Sequence, residues 1–138
     1  MTASAILVPT DFSRDAKAAL HYASLLAVAL KKPLVLLHVK PASILPHAED
    51  DVADPAEAFE HHQLGALHPE NASIPCQRLF RRGNPPDEIL AFVHDNPVEC
   101  IVLGSHGLTN SPQQPIGSIA AAVIRESRTP VICVKSPA

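Results

Sequence analysis

Short apolar runs alternate with amphipathic stretches along this chain, and the alternation predicts strands and helices in turn. Residues 5–8 form the first apolar run, which Pro9 closes. From Ser13 to Leu30 the apolar residues recur three and four positions apart, the spacing of an amphipathic helix, with Ser13 as its N-cap. A second apolar run covers residues 34–39. The first third of the chain therefore predicts a strand, a helix and a second strand.

The rest of the chain continues this alternation after a polar stretch. Residues 40–54 carry prolines and an acidic run, which is typical of a solvated loop. Asn84, followed by two prolines and two acidic residues, is a strong helix start, because acids favour the positive end of a helix. The later predicted elements are a helix over 55–67, a strand over 76–80, a helix over 84–96, a strand over 100–103, a helix over 118–128 and a strand over 130–134.

This order of elements indicates one α/β domain over residues 1–138. Strands that read as continuous apolar runs are buried on both faces, as in a five-stranded parallel sheet covered by helices. Right-handed crossovers then favour a doubly wound open sheet. Such sheets bind ligands at the carboxyl ends of their strands, where the strand order reverses. The first and fourth strands are the predicted pair at that point.

Composition and charge exclude several classes of function. The chain is 46% hydrophobic and 18% charged, so it is globular, and its net charge of −3 does not recruit nucleic acid or anionic lipid. No apolar run approaches the roughly 20 residues of a membrane span. The N-terminus has no basic leader, so we expect a cytoplasmic protein. The three cysteines are too widely spaced for a disulfide framework or a zinc motif.

One glycine pattern carries candidate chemistry. Gly104-Ser105-His106-Gly107 follows the fourth strand, and after nine residues Gly117-Ser118 opens the last helix. Glycines at a strand end let main-chain N–H groups approach an anion, and a helix N-terminus offers unpaired N–H donors and a positive dipole. Two such sites around one loop can hold a chain of phosphates. The alternative is that the glycines only turn the chain.

A second candidate lies at the end of the first strand, where Pro9, Thr10 and Asp11 face the same crevice. An acidic residue at this place can accept hydrogen bonds from ribose hydroxyls in doubly wound nucleotide sites. Asp11 can equally cap the first helix, and the two roles are compatible.

With these motifs the chain resembles a universal stress protein over nearly its whole length. The most specific element is the G-2x-G-9x-G-S pattern, which is the signature of the ATP-binding subgroup of that family. The matching segments are Val8-Pro9-Thr10-Asp11-Phe12-Ser13, Leu37-His38-Val39, Gly83-Asn84-Pro85, and Gly104-Ser105-His106-Gly107 with Gly117-Ser118.

The resemblance implies an adenine nucleotide alpha hydrolase-like fold with strand order 3-2-1-4-5, a homodimer, and ATP (or ADP or AMP) with Mg²⁺ between strands one and four. It implies that Asp11 holds the ribose, that Val39 borders the adenine, and that the glycine motif contacts the phosphates. The implied nucleotide-binding residues are Pro9, Thr10, Asp11, Val39, Gly104, His106, Gly107, Gly117, Ser118 and Ile119.

The phosphate loop departs from the family pattern in its charge. The family often has arginine directly after G-x-x-G, but Leu108 stands there in this chain. From Gly104 to Ala122 there is no Lys, Arg, Asp or Glu, and His106 is the only titratable side chain. Phosphates would then be neutralised by N–H groups, the helix dipole and a metal such as Mg²⁺.

The leading hypothesis is a dimeric regulatory module of the stress response, in which ATP changes a surface that an unknown protein partner reads. The last strand, around 131–134, lies at a sheet edge in the implied order and is expected to pair with its symmetry mate. One alternative is a dimeric scaffold that binds no nucleotide. Another is a weak ATPase using Asp11 or His106, although no G-x-S-x-G elbow or Walker loop is present.

The remaining histidines and cysteines predict no further site. His38 ends an apolar strand and is expected to be a hydrogen-bonded core residue, whereas the histidines at 61, 62 and 68 are expected to be solvated. Cys100 and Cys133 fall in strands predicted to be buried, where a thiol behaves as a small hydrophobic group.

Overall fold

The computed structural model describes residues 4–41, 55–107 and 115–137, and strands and helices alternate along them as the sequence predicts. The strands are β1 (Ala5–Pro9), β2 (Leu34–Pro41), β3 (Cys76–Gly83), β4 (Val98–Gly104) and β5 (Val131–Val134). The helices are α1 (Arg14–Leu30), α2 (Pro55–Ala66), α3 (Pro85–Asp95) and α4 (Ser118–Glu126).

The strands form one parallel sheet in the order β3-β2-β1-β4-β5. This confirms the predicted fold class and the predicted strand order. The chain leaves β1 to one side to form β2 and β3, and returns on the other side to form β4 and β5. The carboxyl ends of β1 and β4 therefore form the switch point at which such sheets bind ligands.

Helices cover both faces of the sheet, and each face has its own hydrophobic core. Ile6 and Val8 of β1 point into the core beneath α1 and α2, while Leu7 points into the core beneath α3 and α4. All three side chains are fully buried. Burial on both faces explains why the central strands read as continuous apolar runs.

The ends of α1 follow the predicted signals. Ser13 is the N-cap, and its Oγ accepts a hydrogen bond from the amide of Ala16 at 3.2 Å. Lys31 closes the helix in the left-handed conformation with φ 56°. Pro33 follows and prevents the helix from continuing.

The second and third strands are longer than predicted. β2 continues to Pro41 and β3 to Gly83, and the two strands stay paired to these residues. β1 ends at Pro9, opposite Leu37. The last residues of β2 therefore have a neighbouring strand on one side only. The gap that β1 leaves beside them is the start of the cavity described below.

Other boundaries differ by at most two residues, and one burial prediction is wrong. Cys100 is buried as expected, but Cys133, on the edge strand β5, is exposed. The predicted loop over 40–54 falls outside the described residues beyond Pro41. Within the described part of the chain, no helix has the length and apolar character needed to cross a membrane.

Candidate functional site

A cavity of about 390 Å³ lies at the carboxyl ends of β1, β2 and β4. Its lining comes from the ends of these strands, from α2, and from the starts of α3 and α4. The lining residues include Pro9, Thr10, Asp11, Phe12, Ser13, His38, Val39, Pro41, Glu60, Gln63, Ile89, Gly104, Ser105, His106, Gly107, Gly117 and Ile119.

The structure brings nine of the ten predicted nucleotide-binding residues to this one cavity, since only Ser118 is missing from its lining. Ser118 is the first residue of α4 and is exposed at the edge of the site. Residues 108–114, which include Leu108, lie outside the described residues.

The turn between β1 and α1 is held by its own polar side chains. The hydroxyl Oγ1 of Thr10 accepts a hydrogen bond from the amide of Phe12 at 3.1 Å, and Oδ1 of Asp11 accepts one from the amide of Ser13 at 3.0 Å. Phe12 adopts the left-handed conformation with φ 67°, which is uncommon for a residue other than glycine. Ser13 rather than Asp11 is the helix cap, and Asp11 fixes the amide of that cap.

A buried carboxylate that the sequence analysis does not single out connects this turn to β4. Oδ2 of Asp15 accepts hydrogen bonds from Oγ of Ser105 at 3.0 Å and from the amide of His106 at 3.1 Å. Oδ1 accepts one from the amide of Ser136 at 3.0 Å. Asp15 therefore joins α1, the residues after β4 and the segment after β5.

The protonation of Asp15 follows from these contacts. Burial raises the pKa of the Asp15 carboxyl, but hydrogen bonds from Ser136, Ser105 and His106 stabilise the ionised form and lower the pKa to about 2. Asp15 is therefore a carboxylate at neutral pH. An acidic residue in the first turn of a helix is common for electrostatic reasons, so its sequence position gives no sign of these distant partners.

Ser105, His106 and Asp15 have the residue types of a hydrolytic triad but not its geometry. Nδ1 of His106 lies 3.1 Å from both Oγ of Ser105 and Oδ2 of Asp15. In a triad the histidine uses one nitrogen for the serine and the other for the carboxylate. Here one nitrogen serves both groups, so the three side chains form a structural network.

The first glycine of the motif is explained by packing. A Cβ atom built on Gly104 would lie 2.7 Å from the main-chain carbonyl carbon of Asp15 and 2.8 Å from the amide nitrogen of Ala16. Only glycine lets β4 approach the start of α1 this closely. The network around Asp15 depends on that approach.

The second part of the glycine motif, Gly117-Ser118, forms the N-terminus of α4. Gly117 is the N-cap residue and has no side chain with which to cap the helix, and its own amide donates to the carbonyl of Ser105. The amides of residues 118–120 are the first of the helix, and at a helix start such groups favour an anion. Ile119 and Ala120 line the cavity, so this positive end borders it.

The charges that line the cavity are carboxylates. Asp11 and Glu60 contribute side chains, and no lysine or arginine is among the described lining residues. Nor do the residues that the structure describes contain a cluster of three His, Cys, Asp or Glu side chains that could hold a metal ion. The sequence of the glycine loop contains no lysine or arginine, and the described part of the cavity lining contains none either.

The sequence of this chain matches a known family. A family model of the universal stress proteins matches residues 3–135. The chain belongs to the universal stress protein family.

Solved relatives share the whole fold. Universal stress protein MJ0577 of Methanocaldococcus jannaschii is 27% identical, over 94% of this chain and 93% of its own length. Its solved structure superposes with a TM-score of 0.75 and covers 100% of this chain and 99% of its own. A universal stress protein from Archaeoglobus fulgidus in complex with dAMP is 26% identical, with a TM-score of 0.69 and coverage of 98% of this chain and 100% of its own.

A third universal stress protein, solved in complex with cAMP, is 21% identical and has a TM-score of 0.73, with coverage of 99% of this chain and 100% of its own. At this identity the similarity is one of fold.

Proposed function

We propose that this universal stress protein binds an adenine nucleotide in the cavity at the β1–β4 switch point. The observation that carries the proposal is the convergence of separate parts of the predicted motif, from β1, β2, β4 and α4, on one concave site. The dAMP complex of the Archaeoglobus fulgidus relative supports the same class of ligand.

The main chain of β2 supports recognition of adenine. In a parallel strand the N–H and C=O of one residue point to the same side, and alternate residues point to opposite sides. The carbonyl of Leu37 accepts from the amide of Thr10 at 2.9 Å and so points toward β1. Val39 therefore also points that way, beyond the end of β1. Its N–H and C=O form a donor–acceptor pair that complements the N1 and 6-amino edge of adenine.

The phosphates would lie on main-chain donors. The start of α4 borders the same cavity and can place N–H groups on an anion, whereas in the segment 104–107 the amides of Ser105 and His106 donate to Val134 and Asp15. We propose ATP with Mg²⁺ as the ligand. Mg²⁺ is commonly held by phosphate oxygens and water with few protein ligands, which fits a site without a ligand cluster among the described residues.

The proposed regulatory role requires that the protein form a homodimer. β5 lies at the edge of the sheet, and Val131, Ile132 and Val134 are only half-buried in the single chain. Pairing of β5 with its symmetry mate would cover this edge. We propose a homodimer through Val131–Val134, in which nucleotide occupancy changes a surface for a protein partner.

Cys133→Lys tests the dimer, because Cys133 is exposed in the single chain and its replacement leaves the core of one protomer intact. Sedimentation should show a monomer for this variant. Val28→Lys, on the exposed face of α1, is the matched control and should remain dimeric. A dimer that survives Cys133→Lys but not Val28→Lys would place the interface on α1 and contradict the proposal.

A scaffold that binds no nucleotide is the second candidate, and the absence of lysine and arginine from the described cavity lining favours it. Hydrolysis has no such support. One oxygen of Asp11 holds the amide of Ser13, and the ring of His106 is bound to Asp15. Neither side chain is arranged as a general base for water.

Calorimetric titration with AMP and with Mg-ATP tests nucleotide binding. Several hydrogen bonds to phosphate, at roughly 1.5–3 kcal/mol each, predict a micromolar Kd. Gly117→Val places a branched side chain at the phosphate end and should weaken binding at least about tenfold. Gly65→Val is the matched control, because a Cβ at Gly65 meets no atom within 4 Å. Absence of binding by the wild-type protein would favour the scaffold.

A further inference from the structure

The outer face of α1 exposes large apolar side chains. Tyr22, Leu25 and Val28 are 41%, 55% and 50% exposed. Their spacing places them on one side of the helix, whereas the buried residues, which include Ala19 and Ala23, lie on the opposite side. We call Tyr22, Leu25 and Val28 the α1 apolar face. Single exposed apolar residues are ordinary, but a group of them on one helix face indicates a binding surface.

A groove of about 310 Å³ lies beside this face, between α1 and the segment 70–71. The hydroxyl of Ser24 in its lining donates to the carbonyl of Leu20 at 2.8 Å and so needs no other acceptor. Oε1 of Glu70 lies within hydrogen-bonding distance of Nδ1 of His21. The rest of the α1 side of the groove is Leu25, Val28 and Ala29. This side therefore suits an apolar side chain.

The exposed charges at the ends of α1 are basic. Arg14 and Lys17 are exposed in its first turn, and Lys31 is exposed at its C-cap. The acidic residue of the helix, Asp15, is buried. Among the described residues, no carboxylate forms an ion pair with these three cations. They therefore complement a ligand that carries carboxylates on both sides of an apolar centre.

A second copy of this face and a lipid surface fit these features less well. Because both ends of α1 are basic, packing of α1 against its own copy would place cations beside cations in either direction. A lipid surface does not fill a narrow groove, and the net charge of −3 opposes adsorption to anionic lipid. A helix of another protein can place one side chain in the groove and carboxylates beside the cations.

We propose that the outer face of α1 binds an acidic amphipathic helix of a partner protein. Apolar side chains of that helix pack on the α1 apolar face, with one of them in the groove. Its flanking carboxylates pair with Arg14, Lys17 and Lys31. This inference goes beyond nucleotide binding and does not depend on it, because the α1 apolar face is not part of the described cavity lining.

Fluorescence anisotropy with three synthetic helical peptides tests the inference. The first peptide has leucines at positions i, i+3, i+4 and i+7 with glutamates beside them. The second has lysines in place of the glutamates, and the third has serines in place of the leucines. The full chain should bind the first peptide at least about tenfold more tightly than the others. Equal binding of all three, or binding of none, would overturn the inference.

Substitutions on α1 show whether the first peptide binds at this surface. Leu25→Gln and Lys17→Glu should each weaken its binding at least about fivefold. Phe59→Gln is the control for Leu25→Gln, because Phe59 is 62% exposed on α2. Arg128→Glu is the control for Lys17→Glu, because Arg128 is exposed beyond the end of α4. Both controls should stay within about twofold of wild type. Losses as large in the controls as on α1 would contradict the assignment.

Two further measurements distinguish the other occupants of this face. Cosedimentation with vesicles of phosphatidylglycerol and phosphatidylcholine that is lost in Leu25→Gln would assign the face to a membrane and overturn the inference. A dimer that dissociates in Leu25→Gln would assign it to a second copy, with the same consequence. We expect no cosedimentation and an unchanged oligomeric state. Titration with AMP reports the proposed nucleotide function separately, so failure of one proposal is distinguishable from failure of the other.

Discussion

The two sides of the cavity are held by different kinds of contact. On the α1 side, the buried carboxylate of Asp15 receives hydrogen bonds from Ser105, His106 and Ser136, at 3.0–3.1 Å. Gly104 allows the close approach that these bonds require. We call this set of residues the Asp15 wall. Its polar groups are buried or half-buried and paired with one another.

On the α2 side, the contacts to the sheet are more exposed. Glu57 pairs with Arg82, whose side chain is 66% exposed, and with Lys40 at 3.8 Å. The ring of His61 stacks on Phe80 at 3.8 Å. Leu64 is the only buried residue of α2. We call this set of residues the α2 wall.

The contacts of the Asp15 wall therefore hold it more firmly than those of the α2 wall hold α2. Exposed ion pairs contribute about 0–1 kcal/mol each and are screened by salt, whereas loss of one partner from a buried polar network leaves the others unsatisfied. The N-terminus of α4, proposed to bind the phosphates, adjoins the Asp15 wall, because the amide of Gly117 donates to the carbonyl of Ser105. Glu60 and Gln63, which line the cavity, lie on α2, on the side of the α2 wall.

Among the substitutions considered, Gly104→Ala in the Asp15 wall should have the largest effect on the stability of the protein. The added Cβ would lie 2.7 Å from the main chain of Asp15, so β4 and α1 must separate. We expect a loss of about 2–3 kcal/mol in the free energy of unfolding, measured by urea denaturation. Gly65→Ala has open space and lies in a helix, so it should gain up to about 1 kcal/mol. Equal effects at the two glycines would contradict the packing role of Gly104.

The pH dependence of the free energy of unfolding tests the contribution of Asp15. Its pKa of about 2 in the folded state lies below the ordinary 3.8, so its contribution is present above pH 3.8 and is lost as the pH falls toward 2. That contribution is on the order of 2 kcal/mol at neutral pH. Asp15→Asn should therefore be less stable than wild type at pH 7, and the difference should shrink between pH 4 and 2. A difference that stays constant over this range would contradict the assignment.

The sequence predicts the fold and nine of the residues that line the cavity, because both depend on local patterns. The apolar runs and helix caps determine the order of elements, and the glycine spacing indicates the cavity. The extension of β2 and β3 is missed because Lys40, Arg81 and Arg82 do not form an apolar run.

The network around Asp15 and the contact of His38 with Glu60 join residues that are far apart in the chain. His38 is correctly predicted to be a hydrogen-bonded core residue. No local pattern, however, shows that Glu60 faces it.

The α2 wall should respond weakly to substitution and clearly to salt. Glu57→Gln removes the charge that pairs with Arg82 and Lys40, and we expect a loss below about 1 kcal/mol that diminishes at high salt.

Hydrogen exchange followed by mass spectrometry should show faster exchange over 55–66 in this variant, with α1 unchanged. Equally slow exchange of α1 and α2 in the wild type at every salt concentration would contradict the distinction between the two walls.

A crystal structure of the protein grown with excess AMP tests the central claim most directly. The account predicts density for the nucleotide in the cavity, with the base at the main chain of Val39 and the phosphate at the N-terminus of α4. Density for AMP elsewhere, or a cavity closed by the protein's own side chains in the presence of the nucleotide, would contradict it.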